Sequence, residues 1–152
     1  MGADEQGGDD DLALDRQVCF PLYAASNLIT RLYRPALAPL GLTYPQYLVM
    51  LVLWESSPES VGGLGERLHL DSGTLTPLVK RLEAAGLVTR RRDAADERRV
   101  LVDLTGAGRA LKAKARNIPK TLGAGLHLDA SEVEELRETV TRLVGLIAAA
   151  EP

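Results

Sequence analysis

The sequence predicts a mainly α protein with a small β-hairpin, and three observations predict it. Capping residues stand ahead of helical stretches at four places: Thr43 with Gln46, Asp71, Thr105, and Asp129 with Glu132. Two short runs, Val88–Arg92 and Arg99–Leu104, read as paired strands around a charged tip, Asp93–Arg98. The 152 residues are 45% hydrophobic, which suits one domain with a real core.

Taken in order, residues 1–11 are Gly-rich and acidic, and read as a disordered tail. A long helix follows, from Asp15 or Val18 to Leu37, with Leu22, Ala25, Leu28 or Ile29, and Leu32 at helical spacing. Pro21 fits only a first turn, where its missing N–H has no partner to lose, so Cys19 falls at or near the helix start. Pro35 and Pro39 end this helix or kink its last turn. Pro45–Trp54 is apolar almost all round, which marks a central, buried helix. Ser56-Ser57-Pro58 is a loop. Val61–Leu68 is the next helix, although Gly62, Gly63 and Gly65 each cost about 1 kcal/mol against Ala in a helix interior.

Asp71 caps the following helix, whose core stripe is Leu75, Leu78, Val79 and Leu82. Its opposite face holds Gly73, Thr76, Pro77 and Lys80, flanked by Ser72, Thr74 and Arg81. Gly86 is its left-handed stop. In the second strand Val100, Val102 and Leu104 alternate with Leu101 and Asp103. Thr105 caps a helix running to about Ile118, before Pro119. The last helix, Ala130 to about Ala149, carries Val133, Leu136, Val140, Leu143 and Ile147 at near-heptad spacing.

The net charge of −3 alone argues against a nucleic-acid partner, but its distribution argues for one. Residues 1–11 hold five acids and no base; the remainder has 18 bases against 16 acids. Residues 80–116 hold eleven bases and five acids, a local +6 of the kind phosphate binding requires. A solvated charged surface is the competing reading of that run taken by itself.

Helix, turn, capped helix and charged hairpin is the order of a winged helix-turn-helix. The start of a recognition helix meets base edges in the major groove. Ser72, Gly73, Thr74 and Thr76 are small or hydroxylated there, and Lys80 and Arg81 further along suit phosphates. An arginine at a hairpin tip enters a narrow minor groove, where the potential is most negative. Arg98 is that arginine, with Asp96 placed to orient it. Pro77 on the reading face and Arg90 on the wing complete the candidate DNA-binding set.

The stretch LDSGTLTPLVKRLEAAGLV, followed by RRRDAADERRVLVDLT, resembles the MarR family of dimeric winged-helix regulators. The wing pattern Asp93-x-x-Asp96-x-Arg98, followed by Leu104-Thr105, carries the resemblance, which extends over roughly residues 15–149. It implies a homodimer on a pseudo-palindromic operator of double-stranded DNA. It also implies that residues 43–105 form the DNA-binding lobe and that helices within 12–42 and 106–150 form a dimerisation region. Together these make one domain over residues 12–152. Gly62 and Gly63 depart from the helix-favouring residues expected in the support helix.

Cys19, in QVCFPLYAAS, together with Tyr33 in LYRP and Tyr44 in TYPQY, resembles the organic-hydroperoxide-sensing (OhrR-type) branch of that family. The resemblance implies that Cys19 is a redox sensor and that Tyr33 and Tyr44 hydrogen-bond to it. The chemistry agrees: the thiolate is the reactive form, and a helix N-terminus and phenol O–H donors stabilise it. A hydroperoxide converts it to sulfenic acid. Val18, Phe20 and Leu22 around it favour organic over inorganic peroxide. A buried structural cysteine is the competing reading.

Fourteen residues along one straight helix separate Cys19 from Tyr33 by about 21 Å. The expected site is therefore shared, with Cys19 of one subunit and Tyr33 and Tyr44 of the other. Some relatives use a second cysteine near the last helices; here Gly123–His127 holds none. The resemblance then implies a mixed disulfide with a low-molecular-weight thiol, or over-oxidation. His69 and His127 have no partner at metal-ligand spacing, and no metal or cofactor is expected. Nor is a membrane role, because no apolar run approaches the roughly 18–20 residues of a span. With one cysteine, no intrachain disulfide is available and the cytoplasm is the expected compartment. The acidic start has no apolar segment of a signal peptide.

Two other functions fit parts of this pattern. A regulator of the same family responding to a reversible aromatic ligand needs no thiol chemistry. A thiol peroxidase needs turnover at Cys19, against which a lone cysteine in a DNA-binding fold argues.

Overall fold

The computed structural model describes residues 10–152. Most of the stretch read as a disordered tail lies outside them; Asp10 and Asp11 open a 3₁₀ turn, Asp10–Leu12, followed by a second, Leu14–Arg16. Seven α-helices and three short strands follow among the described residues. Helix α1 spans Cys19–Leu37, α2 Tyr44–Glu55, α3 Val61–Leu68, α4 Ser72–Ala84, α5 Gly106–Lys114, α6 Thr121–Leu126 and α7 Ala130–Ala150. Strand β1 is Glu59–Ser60, β2 Val88–Arg92 and β3 Val100–Leu104.

The caps form as their spacing predicts. Thr43 and Gln46 close a reciprocal capping box at 3.0 and 3.4 Å, and Asp129 and Glu132 another at 2.8 and 2.9 Å. Asp71 accepts from the Thr74 N–H at 2.7 Å and Thr105 from the Gly108 N–H at 3.0 Å. Each satisfies a backbone donor that a helix start leaves orphaned. Cys19 is the first residue of α1, so Pro21 does lie in the first turn. Pro35 sits inside α1 without stopping it; the helix reaches Leu37, tightens into a 3₁₀ turn with Pro39, and stops at left-handed Gly41.

Helix α2 is the hub. Gln46, Tyr47, Val49, Met50, Val52 and Leu53 are all buried, as an all-round apolar helix requires. Around it, Leu37, Leu64, Leu75, Leu82, Val88 and Val102 are fully buried. The predicted stripe of α4 is the buried one. Strands β2 and β3 pair antiparallel from Val88↔Leu104 to Arg92↔Val100. The expected two-stranded ribbon gains a third member: β1 pairs with β3 through Glu59↔Val102 and Ser60↔Leu101.

One glycine of α3, Gly65, has a steric reason. A Cβ on Gly65 would stand 2.6 Å from the Leu70 carbonyl oxygen, so the α3–α4 turn can close this tightly only over glycine. The structure corrects the helix expected from Thr105 to Ile118. It stops at Lys114, turns through Ile118–Lys120 in 3₁₀ form, and restarts as α6. Pro119 lacks the N–H that an α-helix would give to the Ala115 carbonyl, which instead accepts from the Ile118 N–H at 3.0 Å. Burial of Ala115 and Ile118 fixes the bend. Among the described residues no single helix is long and apolar enough to cross a membrane.

Candidate functional site

The first turns of α4 stand clear of the core. Ser72, Gly73, Thr74, Pro77, Lys80 and Arg81 are exposed and Thr76 is half-buried. Pro77 lies inside the helix and has no N–H to give the Gly73 carbonyl, so that acceptor faces outward without its helical partner. The Asp71 carboxyl is held below its ordinary range, chiefly by the Thr74 backbone N–H it accepts from.

The wing tip is bonded into one shape. The Arg98 backbone N–H and guanidinium both donate to Asp96, at 3.1 Å each, and the guanidinium stays 91% exposed. These bonds, the side-chain one first, lower the Asp96 carboxyl. Asp93 pairs with Arg99 at 3.3 Å, and Arg92 donates to the Glu97 carbonyl at 2.8 Å. The side chain of Arg98 is thus presented from a braced loop; Asp93 belongs to the wing pattern read from the sequence, while Arg92 and Arg99 are bracing residues that the sequence did not single out.

Arg90 is employed differently from the other candidates. Its guanidinium donates to Glu83 of α4 at 3.0 and 3.2 Å, and its backbone N–H to the same carboxylate at 3.1 Å. It ties the wing to the reading helix. Ser72, Thr76, Arg90, Arg98 and Arg99 line one concavity of about 420 Å³ between α3, α4 and the wing. Lys112 and Arg116 line a different one, beside Tyr47 and Trp54. The basic stretch read from the sequence therefore divides between two surfaces.

The second candidate site is an aromatic cluster that runs along α2 and takes in Tyr33 of α1. The rings of Tyr33 and Tyr44 lie 4.9 Å apart. Tyr47 stands 6.5 Å from Tyr33, 6.1 Å from Tyr44 and 6.5 Å from Trp54. Burial pushes all three phenols up, Tyr47 to about 12, so they remain O–H donors at neutral pH. Tyr47 is the member that sequence reasoning missed; its signal was a second tyrosine on the apolar face of α2, one turn after Tyr44. Trp54 donates to the Gly108 carbonyl at 2.9 Å, linking α2 to the helix that follows the wing.

Cys19 is exposed and is not brought to the tyrosines of its own chain. Helix α1 runs unbroken from Cys19 past Tyr33, which holds them about 21 Å apart along its axis. Among the described residues no group of His, Cys, Asp and Glu could hold a metal. His69 and His127 are left-handed caps ending α3 and α6.

The family described as transcriptional regulator SarA/Rot matches residues 31–115. The chain is 55% identical over 127 residues (82% of its length) to the HTH-type transcriptional regulator TtmR of Methylorubrum extorquens strain PA1; the match spans 65% of TtmR, just under two thirds. It is 47% identical over 138 residues, 91% of this chain and 92% of the relative, to the organic hydroperoxide resistance transcriptional regulator of Bacillus subtilis strain 168. Among solved structures, reduced AbfR bound to DNA matches with a TM-score of 0.77 and 33% identity over 93% of this chain and 96% of that one. Over-oxidised AbfR bound to DNA matches with a TM-score of 0.66 and 36% identity over 88% and 98%; AbfR is a Staphylococcus epidermidis protein. With its capped reading helix, braced wing and terminal helices, the chain belongs to the MarR family of winged-helix transcriptional regulators.

Proposed function

We propose that this chain is a redox-sensing transcriptional repressor. As a cytoplasmic homodimer it holds a pseudo-palindromic operator and releases it when an organic hydroperoxide oxidises Cys19. The observation that carries the reading is the arrangement on α1: an exposed cysteine at its first residue and a paired Tyr33–Tyr44 cluster near its far end. Neither end is a complete site in one chain. An antiparallel contact between two copies of α1 completes both. Kinship to the Bacillus regulator and to AbfR supports the peroxide and the DNA.

In the proposed chemistry, the Cys19 thiolate attacks the terminal peroxide oxygen and the O–O bond breaks. Sulfur is oxidised to the sulfenic acid; the alkoxide takes a proton and leaves as the alcohol. Tyr33 and Tyr44 of the partner donate O–H bonds to the sulfur. A low-molecular-weight thiol then condenses with the sulfenic acid, forming an S–S bond and releasing water. The bulk of that mixed disulfide strains the dimer contact. A relative has been solved over-oxidised and still on DNA, which favours the mixed disulfide as the releasing species. On the DNA, Ser72, Gly73, Thr74, Thr76 and Pro77 of α4 face the major groove and Lys80 and Arg81 face phosphates, while Arg90, bound to Glu83, contributes by holding the wing against α4. Arg98, held by Asp96, enters the minor groove.

The test is a gel shift with cumene hydroperoxide and a small thiol. Wild type releases the operator and Cys19→Ser stays bound; equal release by both contradicts the reading. A second reading has a specific observation behind it. A cavity of about 740 Å³ lies between the α3–α4 turn and the end of α7, lined by Val61, Leu70, Val144 and Ile147 among others. A reversible aromatic ligand seated there would release DNA from Cys19→Ser as readily as from wild type.

A further inference from the structure

The segment before Cys19 is unaccounted for by the sensor. From Asp10 to Gln17 its hydrogen bonds close on itself: Arg16 to Asp10, Gln17 to the Asp11 and Ala13 carbonyls, and the two 3₁₀ turns. Yet it shows solvent three large apolar side chains, Leu12 (81% exposed), Leu14 and Val18. It is also acidic: Asp11 and Asp15 have no ion-pair partner among the described residues, and Asp10 is matched by Arg16.

A complementary surface exists beside the tyrosine cluster. Tyr47, Leu51, Trp54 and Pro119 line a largely apolar groove of about 340 Å³, and Lys112 and Arg116 edge it. Neither cation is in an ion pair among the described residues; Lys112 donates to the Trp54 carbonyl at 3.3 Å, and Glu55 at the groove's end is matched by Arg67 at 2.8 Å. Leu51 is an exposed leucine on helix α2, whose other apolar residues are buried or half-buried.

We propose that this groove receives the segment Asp10–Val18 of a second copy of the chain, with Leu12, Leu14 or Val18 on Tyr47, Leu51 and Trp54, and with Asp11 and Asp15 on Lys112 and Arg116. Three arguments select this occupant. Its charge is opposite to the groove's, and its free surface is apolar as the groove is. Its position follows from the proposed shared sensor, on which this inference rests: with Cys19 at the partner's Tyr33 and Tyr44, the groove begins at Tyr47, 6.1 Å from Tyr44. The seven residues from Cys19 back to Leu12, at the rise of about 2 Å per residue of the 3₁₀ turns they form, span at least about 14 Å. Docking the segment would hold the sensor cysteine against the phenols it needs.

Trp54 is the chain's single tryptophan and therefore a built-in probe. The experiment is acrylamide quenching of Trp54 in the full-length protein, with each variant checked as a folded dimer by circular dichroism and light scattering. Reversing the segment (Asp11→Lys with Asp15→Lys) is expected to red-shift Trp54 emission and raise its quenching. Reversing the groove (Lys112→Glu with Arg116→Glu) should do the same, and joining both reversals in one chain should restore wild-type protection. The two single-side variants are then mixed and allowed to exchange subunits. In the mixed dimer each segment meets a matching groove only across the interface, so protection returns if docking is between copies. Protection that returns in the joint variant but not in the mixture overturns the proposal in favour of docking within one chain. Unchanged quenching in every variant overturns docking altogether. Should the reversed proteins fail to fold, added salt must expose Trp54 of the wild type, because ion pairs at a surface are screened; no salt effect contradicts the proposal. The readout uses neither peroxide nor Cys19, so a failure of the sensor reading appears separately, in oxidation kinetics.

Discussion

The DNA-binding lobe and the terminal helices solve the same problem in opposite ways. In the lobe, α2, α4 and the strands bury Val49, Met50, Leu53, Leu75, Leu82 and Val102 completely within one chain. Helix α7, the longest at 21 residues, has no buried residue at all, and leaves Leu136, Val140, Val144, Leu146 and Ile147 at least 40% exposed. Helix α1 buries only Tyr33 and Leu37, near its end. The lobe therefore carries its own core, while the terminal helices carry apolar surface left uncovered within the chain, the surface on which the proposed dimer would form. Such a stripe, rimmed by charge, marks an interface. The proposed sensor straddles the boundary: Tyr44 stands on α2 of the lobe with the buried Tyr33 packed on it, while Cys19 is exposed at the start of α1.

The sharpest way to break this contrast is to damage each half. Leu75→Ala empties a fully buried position of the lobe and is expected to cost about 2–5 kcal/mol in urea unfolding. A loss well under 1 kcal/mol would mean that the lobe core is not as continuous as described. Val140→Asp combined with Ile147→Asp should instead abolish the dimer in light scattering. It should also remove the concentration dependence of the unfolding midpoint that a dimer shows. A dimer unaffected by both aspartates would assign the interface elsewhere. The smallest effect concerns pH. The phenols of Tyr33, Tyr44 and Tyr47 are raised by burial, so the folded state holds their protons more tightly than the unfolded chain. That contribution is complete below pH 10.0 and is lost as pH rises toward about 12, the value of Tyr47. Tyr47→Phe should flatten this alkaline decline, and an unchanged decline would place its origin in other groups.

The contrast also explains what was legible in the sequence. The four expected caps act through side chains only three residues from their targets, so local spacing found Thr43, Asp71, Thr105 and Asp129. The stripe of α4 and the pairing of β2 with β3 were local for the same reason. Strand β1 was not: two residues pair with a partner about forty positions later, and no pattern in Glu59-Ser60 announces that. Gly65 of α3 read as a weakness because propensity counts its entropy, while the close approach of the Leu70 carbonyl to it is a tertiary fact. The break after α5 was hidden because Pro119 alone did not say how far back the helix would stop. At the candidate site, Arg98 with Asp96 was readable two residues apart. The Arg90–Glu83 tie and the place of Tyr47 beside Tyr33 depended on how helices and wing pack.

The proposed redox site is built by two chains, and mixed dimers test this most directly. One partner carries Cys19→Ser with intact tyrosines; the other carries Cys19 with Tyr33→Phe and Tyr44→Phe. In a shared site the surviving cysteine faces the intact tyrosines of its partner. Oxidation by cumene hydroperoxide in the mixed dimer should then run at the wild-type rate, while the tyrosine-substituted homodimer reacts slowly. If the mixed dimer is as slow as that homodimer, Cys19 does not use its partner's tyrosines and the shared site is wrong.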